Sequence, residues 1–316
     1  MQVFCRIMCI YFGEPMKNPI IPRSKTDPVG ANRILTKALK EIDARFKGAE
    51  SDLLAAFNAI PVYAFNDLAE VAYGLSNADR LALAETTQRI LDKWLVDGKS
   101  PDDFFYATFS EQAVKKATAI AYTNIAAVSA TYAAAKSLSN IIHSQPYQNA
   151  IATAQFKSYS HWVGLSAQTK ADLMQVIAQA VASGNNPKSV VTEISDRLGV
   201  SRSKARQYAQ TEITDTLRQT TINEDARVEK EYGIKTGLLH TSAFLPTTRP
   251  THAARSGKVY TREQVEEFYS QIKNKANCHC GITTVLLDEN GKPLLTKNLT
   301  ERMEEERKKW EDKYGE

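Results

Sequence analysis

Residues 198–212 read LGVSRSKARQYAQTE, residues 249–252 read RPTH and residues 277–280 read NCHC. The fold turns on these three stretches. The first opens a helical pattern that meets no glycine or proline between Gly199 and Gly233. The third sets two cysteines two residues apart. Side chains alternate along an extended chain, so Cys278 and Cys280 point to one side. Thiolate and imidazole are the groups Zn²⁺ prefers, at about 2.0–2.3 Å. His252 is the expected third ligand, giving a zinc site of His252, Cys278 and Cys280. His240 or His279 is the candidate fourth, although His279 points away from its cysteine neighbours. The spacing argues the other way, since structural zinc sites usually leave two or more residues between paired cysteines. The alternative is two reduced thiols beside a hydrogen-bonded histidine.

At 316 residues the chain exceeds one typical core, which favours two domains. Its 40 Lys+Arg against 36 Asp+Glu give a net charge of +4. That is short of the excess of a dedicated nucleic-acid binder. Four cysteines, at 5, 9, 278 and 280, do not make a secreted disulfide framework. A reducing compartment is expected. No apolar run reaches the roughly 18–20 residues that span a bilayer. The opening MQVFCRIMCIYF has no positive charge ahead of Arg6 and no small-x-small site after it, unlike a signal peptide. A start at Met16 and a docking tail both account for it, and Cys5 and Cys9 are assigned no metal.

The chain then divides by pattern. Residues 1–30 form an extended arm rich in proline (Pro19, Pro22, Pro28). Ile34, Leu35, Ala38, Leu39, Ile42, Phe46, Leu53 and Phe57 predict a helix over 31–59, stopped by Pro61. A second helix is expected over 77–96, with Gly98 closing it. Ser100-Pro101-Asp102-Asp103 reads as a helix start, leading into a long alanine-rich helix to about 142. Aromatic residues across 144–165 read as a packing loop, and a helix resumes over 166–182. Gly184 to Pro187 makes a turn. Beyond it Val190, Val191, Ile194 and Leu198 line one helix, Gly199 turns, and Ser201 caps another. That outline fits a structural hairpin. It also fits a DNA-binding helix-turn-helix presenting Arg202, Lys204 and Arg206, against which stands a second helix of about thirty residues. Strands are predicted over 235–244, 258–260 and 282–287, with a helix from Thr261 to 275 between the last two. Asn290-Gly291 signals a hairpin. The tail over 299–316 is charged and reads as an exposed helix or docking segment.

The expected class is α+β and mostly α. A long N-terminal helical bundle or stalk (31–164) precedes a small C-terminal α+β domain (165–298) with a short antiparallel sheet. No nucleophile triad, phosphate loop or dinucleotide glycine pattern is present, so the chain is not expected to be an enzyme. A zinc-dependent enzyme is the weaker alternative, lacking a carboxylate singled out near Cys278.

Taken in order, Gly184, Leu198-Gly199-Val200-Ser201, Ala205-Arg206, Ala209, Thr211-Glu212, Tyr232-Gly233, Arg249-Pro250-Thr251-His252, Gly257 and Asn277-Cys278-His279-Cys280 resemble the phage Mu F-like minor head protein family, also called phage head morphogenesis proteins. The resemblance covers about 165–285. Four positions depart from it. Thr247 and Thr248 stand where acids are common, Gln210 replaces an arginine, and His279 replaces the arginine between the cysteines. The resemblance implies a low-copy minor head protein of a tailed bacteriophage. It would sit inside the virion near the portal vertex, after assembly in the host cytoplasm. It implies portal protein and major capsid or scaffolding protein as partners, non-specific contact with packaged DNA, no membrane, and a part in head assembly and in DNA packaging or ejection.

Overall fold

The computed structural model describes residues 18–22, 24–64, 71–183 and 185–315. The apolar opening segment with Cys5 and Cys9, and Gly184, lie outside the described residues. One helix organises the rest: α7 (Pro187–Tyr232), 46 residues and so about 70 Å long. Asn186 caps its start, Pro187 takes the first turn, and Gly233 ends it at φ +65°. The turn expected at Gly199 is absent. Gly199 lies mid-helix, and Ser201, expected as a cap, is buried and accepts from the Thr169 hydroxyl at 3.0 Å. No helix-turn-helix forms there. The hairpin instead joins α7 to α6 (Gln145–Ser183).

Along its first half α7 buries Val190, Ile194, Leu198, Ala205 and Ala209 at three- and four-residue steps. Their partners lie on α1 (Asn32–Asn58), α3 (Ala107–Ala126) and α6. The face of α1 is the predicted one: Ile34, Leu35, Ala38, Ile42, Phe46, Leu53 and Phe57 are buried. Together they form the main core with Leu91, Tyr106, Trp162, Leu173 and Ile213. Along its second half α7 is enclosed on nearly every side, yet it carries Gln210, Glu212, Asp215, Arg218, Glu224 and Asp225 there. A helix buried all round is normally apolar. Here the polar groups make the joint between the stalk and the C-terminal module.

The arm is closely held and is not extended throughout: residues 24–30 make two turns, in which the Asp27 amide donates to the Ser24 carbonyl at 3.1 Å and the Gly30 amide to the Asp27 carbonyl at 3.0 Å. Asp27 is buried and accepts from the Ala31 and Asn32 amides at 2.7 and 2.9 Å, capping α1 from outside. The Ile20 amide donates to Asn124 Oδ1 at 2.7 Å. Gly281 lies so close to this arm that a Cβ there would stand 3.0 Å from the Pro28 carbonyl oxygen.

Three helical expectations are corrected. Residues 100–106 form turns, and α3 starts only at Ala107. Phe104 and Tyr106 are buried against Tyr159 and Trp162, and packing those rings overrides the start signal. The long helix to 142 breaks into α3, α4 (Ala130–Ala135) and α5 (Leu138–Ile142). Ser129 and Ser137 accept from the Tyr132 and Asn140 amides and so begin new helices. The aromatic stretch 144–165 is not a loop but the first half of α6.

Between α1 and α3 lie a hairpin absent from the sequence reading, β1 (Val62–Ala64) paired with β2 (Val71–Tyr73), and α2 (Asn77–Leu91). A capping box between Ser76 and Asp79 starts α2, and a π-helical turn over Asp92–Val96 extends it.

The C-terminal sheet is antiparallel, in the order β4 (Val259–Tyr260), β3 (Thr236–Thr241), β5 (Gly281–Leu286). One face, with Leu238 and Ile282, packs on Ile222 of α7 and on Val265 and Tyr269 of α9 (Arg262–Ser270). The other, with Leu239 and Val285, packs on Leu299 and Met303 of α11 (Lys297–Tyr314). The charged tail is therefore a packed helix rather than an exposed one. Leu299, Met303 and Trp310 are buried, and the Trp310 indole donates to the Leu245 carbonyl at 2.9 Å. The helix predicted over 261–275 breaks at Gln271 into α9 and α10 (Ile272–Lys275). Among the described residues no helix is long and apolar enough to cross a membrane.

Candidate functional site

The motifs read from the sequence meet at one loop, residues 276–280. Asn277 adopts φ +51°, a left-handed conformation that asparagine tolerates better than most residues. The turn it makes is held from three directions. The Arg249 guanidinium donates to the Ala276 carbonyl at 2.7 Å. The Asn277 amide donates to Thr211 Oγ1 at 2.9 Å. Gln210 Nε2 donates to the Cys278 carbonyl at 3.3 Å. The glutamine that departs from the family pattern thus has a positional role of its own.

Thr211 and Glu212, adjacent on the same turn of α7, have different partners. Thr211 reaches the loop, while buried Glu212 accepts from His161 Nδ1 of α6. One turn later Asp215 takes Lys157 of α6 at 2.5 Å and Lys275 of α10 at 2.6 Å. Burial pushes the Asp215 carboxyl upward, but the hydrogen bonds from the two lysines outweigh it and hold the group below its ordinary value.

Removing the acceptor in Thr211→Val is expected to cost about 1 kcal/mol, since the Asn277 amide then has only water to bond. Urea unfolding should show it. A midpoint equal to wild type would mean that the clasp adds nothing.

His161 carries the pH dependence. Its hydrogen bond to Glu212 raises its pKa above the ordinary 6.5, against the opposing effect of partial burial. A group raised on folding stabilises fully below its unfolded pKa and ceases to do so as pH climbs through the folded value. The stability difference between wild type and His161→Gln should be largest below about pH 6.5 and shrink at alkaline pH. Denaturant titrations across that range check this, and a difference independent of pH would contradict it.

Below the loop lies a pocket of sulfur and imidazole. His252 and Cys278, predicted together, are together: Nδ1 and Sγ stand 3.5 Å apart. Cys280 is in the same cluster, where its ligand atom and those of His240 and His252 all lie within 4.8 Å of one another. All four side chains are buried. His240, named only as a candidate fourth, comes from β3, where it pairs across the sheet with Ile282. His279 is half-buried and outside the cluster. The alternation argument therefore holds for the cysteines and for the residue between them.

Around the cluster are residues that the sequence did not single out. The Tyr269 hydroxyl lies 3.0 Å from His240 Nε2. Arg218, itself buried, stacks on the Tyr269 ring at 3.5 Å and reaches Asp215 at 3.4 Å. Ser242 Oγ is 3.7 Å from Cys280 Sγ. Burial drives the His240 pKa down to about 3, so its imidazole is neutral. The Cys278 thiol is pulled down to about 3 by the Cys280 S–H, with His252 and Arg218 adding to it against burial. The Cys280 thiol is pushed up, first by sharing its proton with Cys278 and then by burial. The pair behaves as one thiolate and one thiol.

Of the three residues proposed to face DNA, Arg202 and Lys204 are exposed on α7, and Arg206 pairs with Asp43 of α1 at 2.5 Å. With α7 continuous, they do not lie on a short recognition helix.

Residues 171–283 match the family model described as Phage Mu protein F like protein. That span holds the Gln210–Glu212 turn, the Arg249–His252 element and the 277–280 loop. No curated protein and no solved structure matches the chain. Residues 171–283, in which these motifs close on one another, are thus the part of the chain that is similar to Phage Mu protein F like protein.

Proposed function

We propose that the chain is a minor head protein of a tailed bacteriophage. It associates with the portal inside the capsid and acts architecturally in head assembly and in DNA packaging or ejection. The observation that carries this reading is the family match over 171–283, whose motif residues converge on the 276–280 loop. Their bonds are positional: each of these three donors meets an oxygen of the protein's own chain, as a scaffold requires.

Two further features support it. The stalk leaves Phe156 and Val163 of α6 and Val200 of α7 exposed, apolar groups available to other subunits. The charge of +4, with Arg202 and Lys204 exposed, suits contact with packaged DNA that is weak, salt-sensitive and indifferent to sequence.

Co-expression with the portal protein of the same phage tests the reading, together with mass spectrometry of gradient-purified virions. The chain is expected to co-purify with portal and to be present in particles at low copy. Its absence from purified particles would overturn the proposal.

A further inference from the structure

The head-protein reading gives no task to the buried cluster of His240, His252, Cys278 and Cys280. Its geometry does. In a tetrahedral site with N ligands at about 2.0–2.1 Å and S ligands at about 2.3 Å, neighbouring N and S atoms stand about 3.5 Å apart. His252 Nδ1 and Cys278 Sγ are 3.5 Å apart. The His240, His252 and Cys280 ligand atoms, all within 4.8 Å of one another, need a contraction of about 1.3 Å at most to reach the same spacing.

Unmet hydrogen bonding points the same way. His240 and His252 are 0% and 1% exposed. His240 Nδ1 is a buried nitrogen without a hydrogen-bond partner. Buried polar atoms rarely go unpaired without a reason. The supporting shell is also of the kind that metal ligands use. Tyr269 occupies His240 Nε2 at 3.0 Å, which leaves Nδ1 to face the cluster. The Cys280 amide donates to Cys278 Sγ at 3.4 Å, a bond that favours the thiolate and closes the short Cys-x-Cys turn.

We propose that His240, His252, Cys278 and Cys280 form a tetrahedral site for a structural Zn²⁺. Four protein ligands leave no position open for water or substrate, so the ion staples rather than catalyses. It joins β3, the short helix α8 (Pro250–Ala253) and the loop before β5. Two thiolates and two neutral imidazoles balance the charge of the ion. The rival arrangement is metal-free, with Arg218 as the counter-ion of a single Cys278 thiolate.

The test uses the full chain, purified tag-free under reductant from cells given zinc. Elemental analysis is expected to find about one zinc per chain, against less than about 0.1 in Cys278→Ser. His240→Ala should lose the metal and His279→Ala should keep it. If His240→Ala does not fold, Co²⁺ exchanged into wild type reports the ligands directly, through the visible bands of tetrahedral cobalt and thiolate charge transfer. Removing zinc with a chelator should lower the melting temperature by at least several degrees. Wild type purified without zinc and taking up none on titration would overturn the proposal in favour of the Arg218 arrangement. So would full metal content in Cys278→Ser, or a melting temperature indifferent to chelation. None of these readouts depends on portal binding, so the two proposals fail separately.

Discussion

Trp162→Ala is expected to destabilise the protein by about 3–5 kcal/mol, the range for a large aromatic side chain removed from a packed core. Trp162 is 1% exposed and sits where α6 meets the turns ahead of α3. Phe105 meets it edge-on at a centroid distance of 4.7 Å, and Tyr106 lies 5.7 Å away. Those rings hold 100–106 out of helical conformation, so the cavity would also release the segment that bends to reach it. Urea denaturation followed by far-ultraviolet dichroism measures the loss. A change below about 1 kcal/mol would show that the site collapses without cost and that the aromatic cluster does not organise the stalk.

Arg262→Ala should be comparably severe, at about 3–5 kcal/mol, for a different reason. Arg262 opens α9, and its guanidinium reaches Asp225 at 2.9 Å and also Glu229, both on α7. The Asp225 side chain is fully buried. Removing the cation leaves a carboxylate in a site that already disfavours its charge: burial raises the Asp225 pKa despite the hydrogen bond from Arg262. The residue can escape by taking up a proton, which caps the loss. Pairing the change with Asp225→Asn should therefore recover much of it, and a double-mutant cycle separates the pair from its surroundings. If Arg262→Ala unfolds at the wild-type midpoint, α9 is held on α7 by apolar contacts alone.

How much of this was legible beforehand depended on the range of the interaction concerned. The face of α1 was readable because a single apolar stripe at helical spacing needs only a partner, whatever that partner is. The Thr261 cap of α9 and the alternation of Cys278 and Cys280 are equally local, and both were readable. The turn assigned to Gly199 failed because one glycine costs a helix only about 1 kcal/mol, less than burying Leu198 and Ala205 on either side of it returns. The aromatic stretch before Leu165 looked like a loop because its rings pack on residues some fifty positions away in sequence.

The pattern of residues along the chain alone established the class and the mixed helical and stranded organisation, and it singled out His252, Cys278 and Cys280 as candidates for one site. These rest on propensity and on side-chain periods, which the backbone imposes over a few residues. Only the tertiary structure decided that His240 rather than His279 completes the cluster, since the register of β3 against β5 sets which strand residue faces it. Only the structure decided, too, that Gln210, Thr211 and Arg249 grip one loop. Those contacts join residues separated by 27 to 68 positions. No local rule constrains such pairs, because the chain between them can take many paths, and it is the burial of the joint around α7 that selects one.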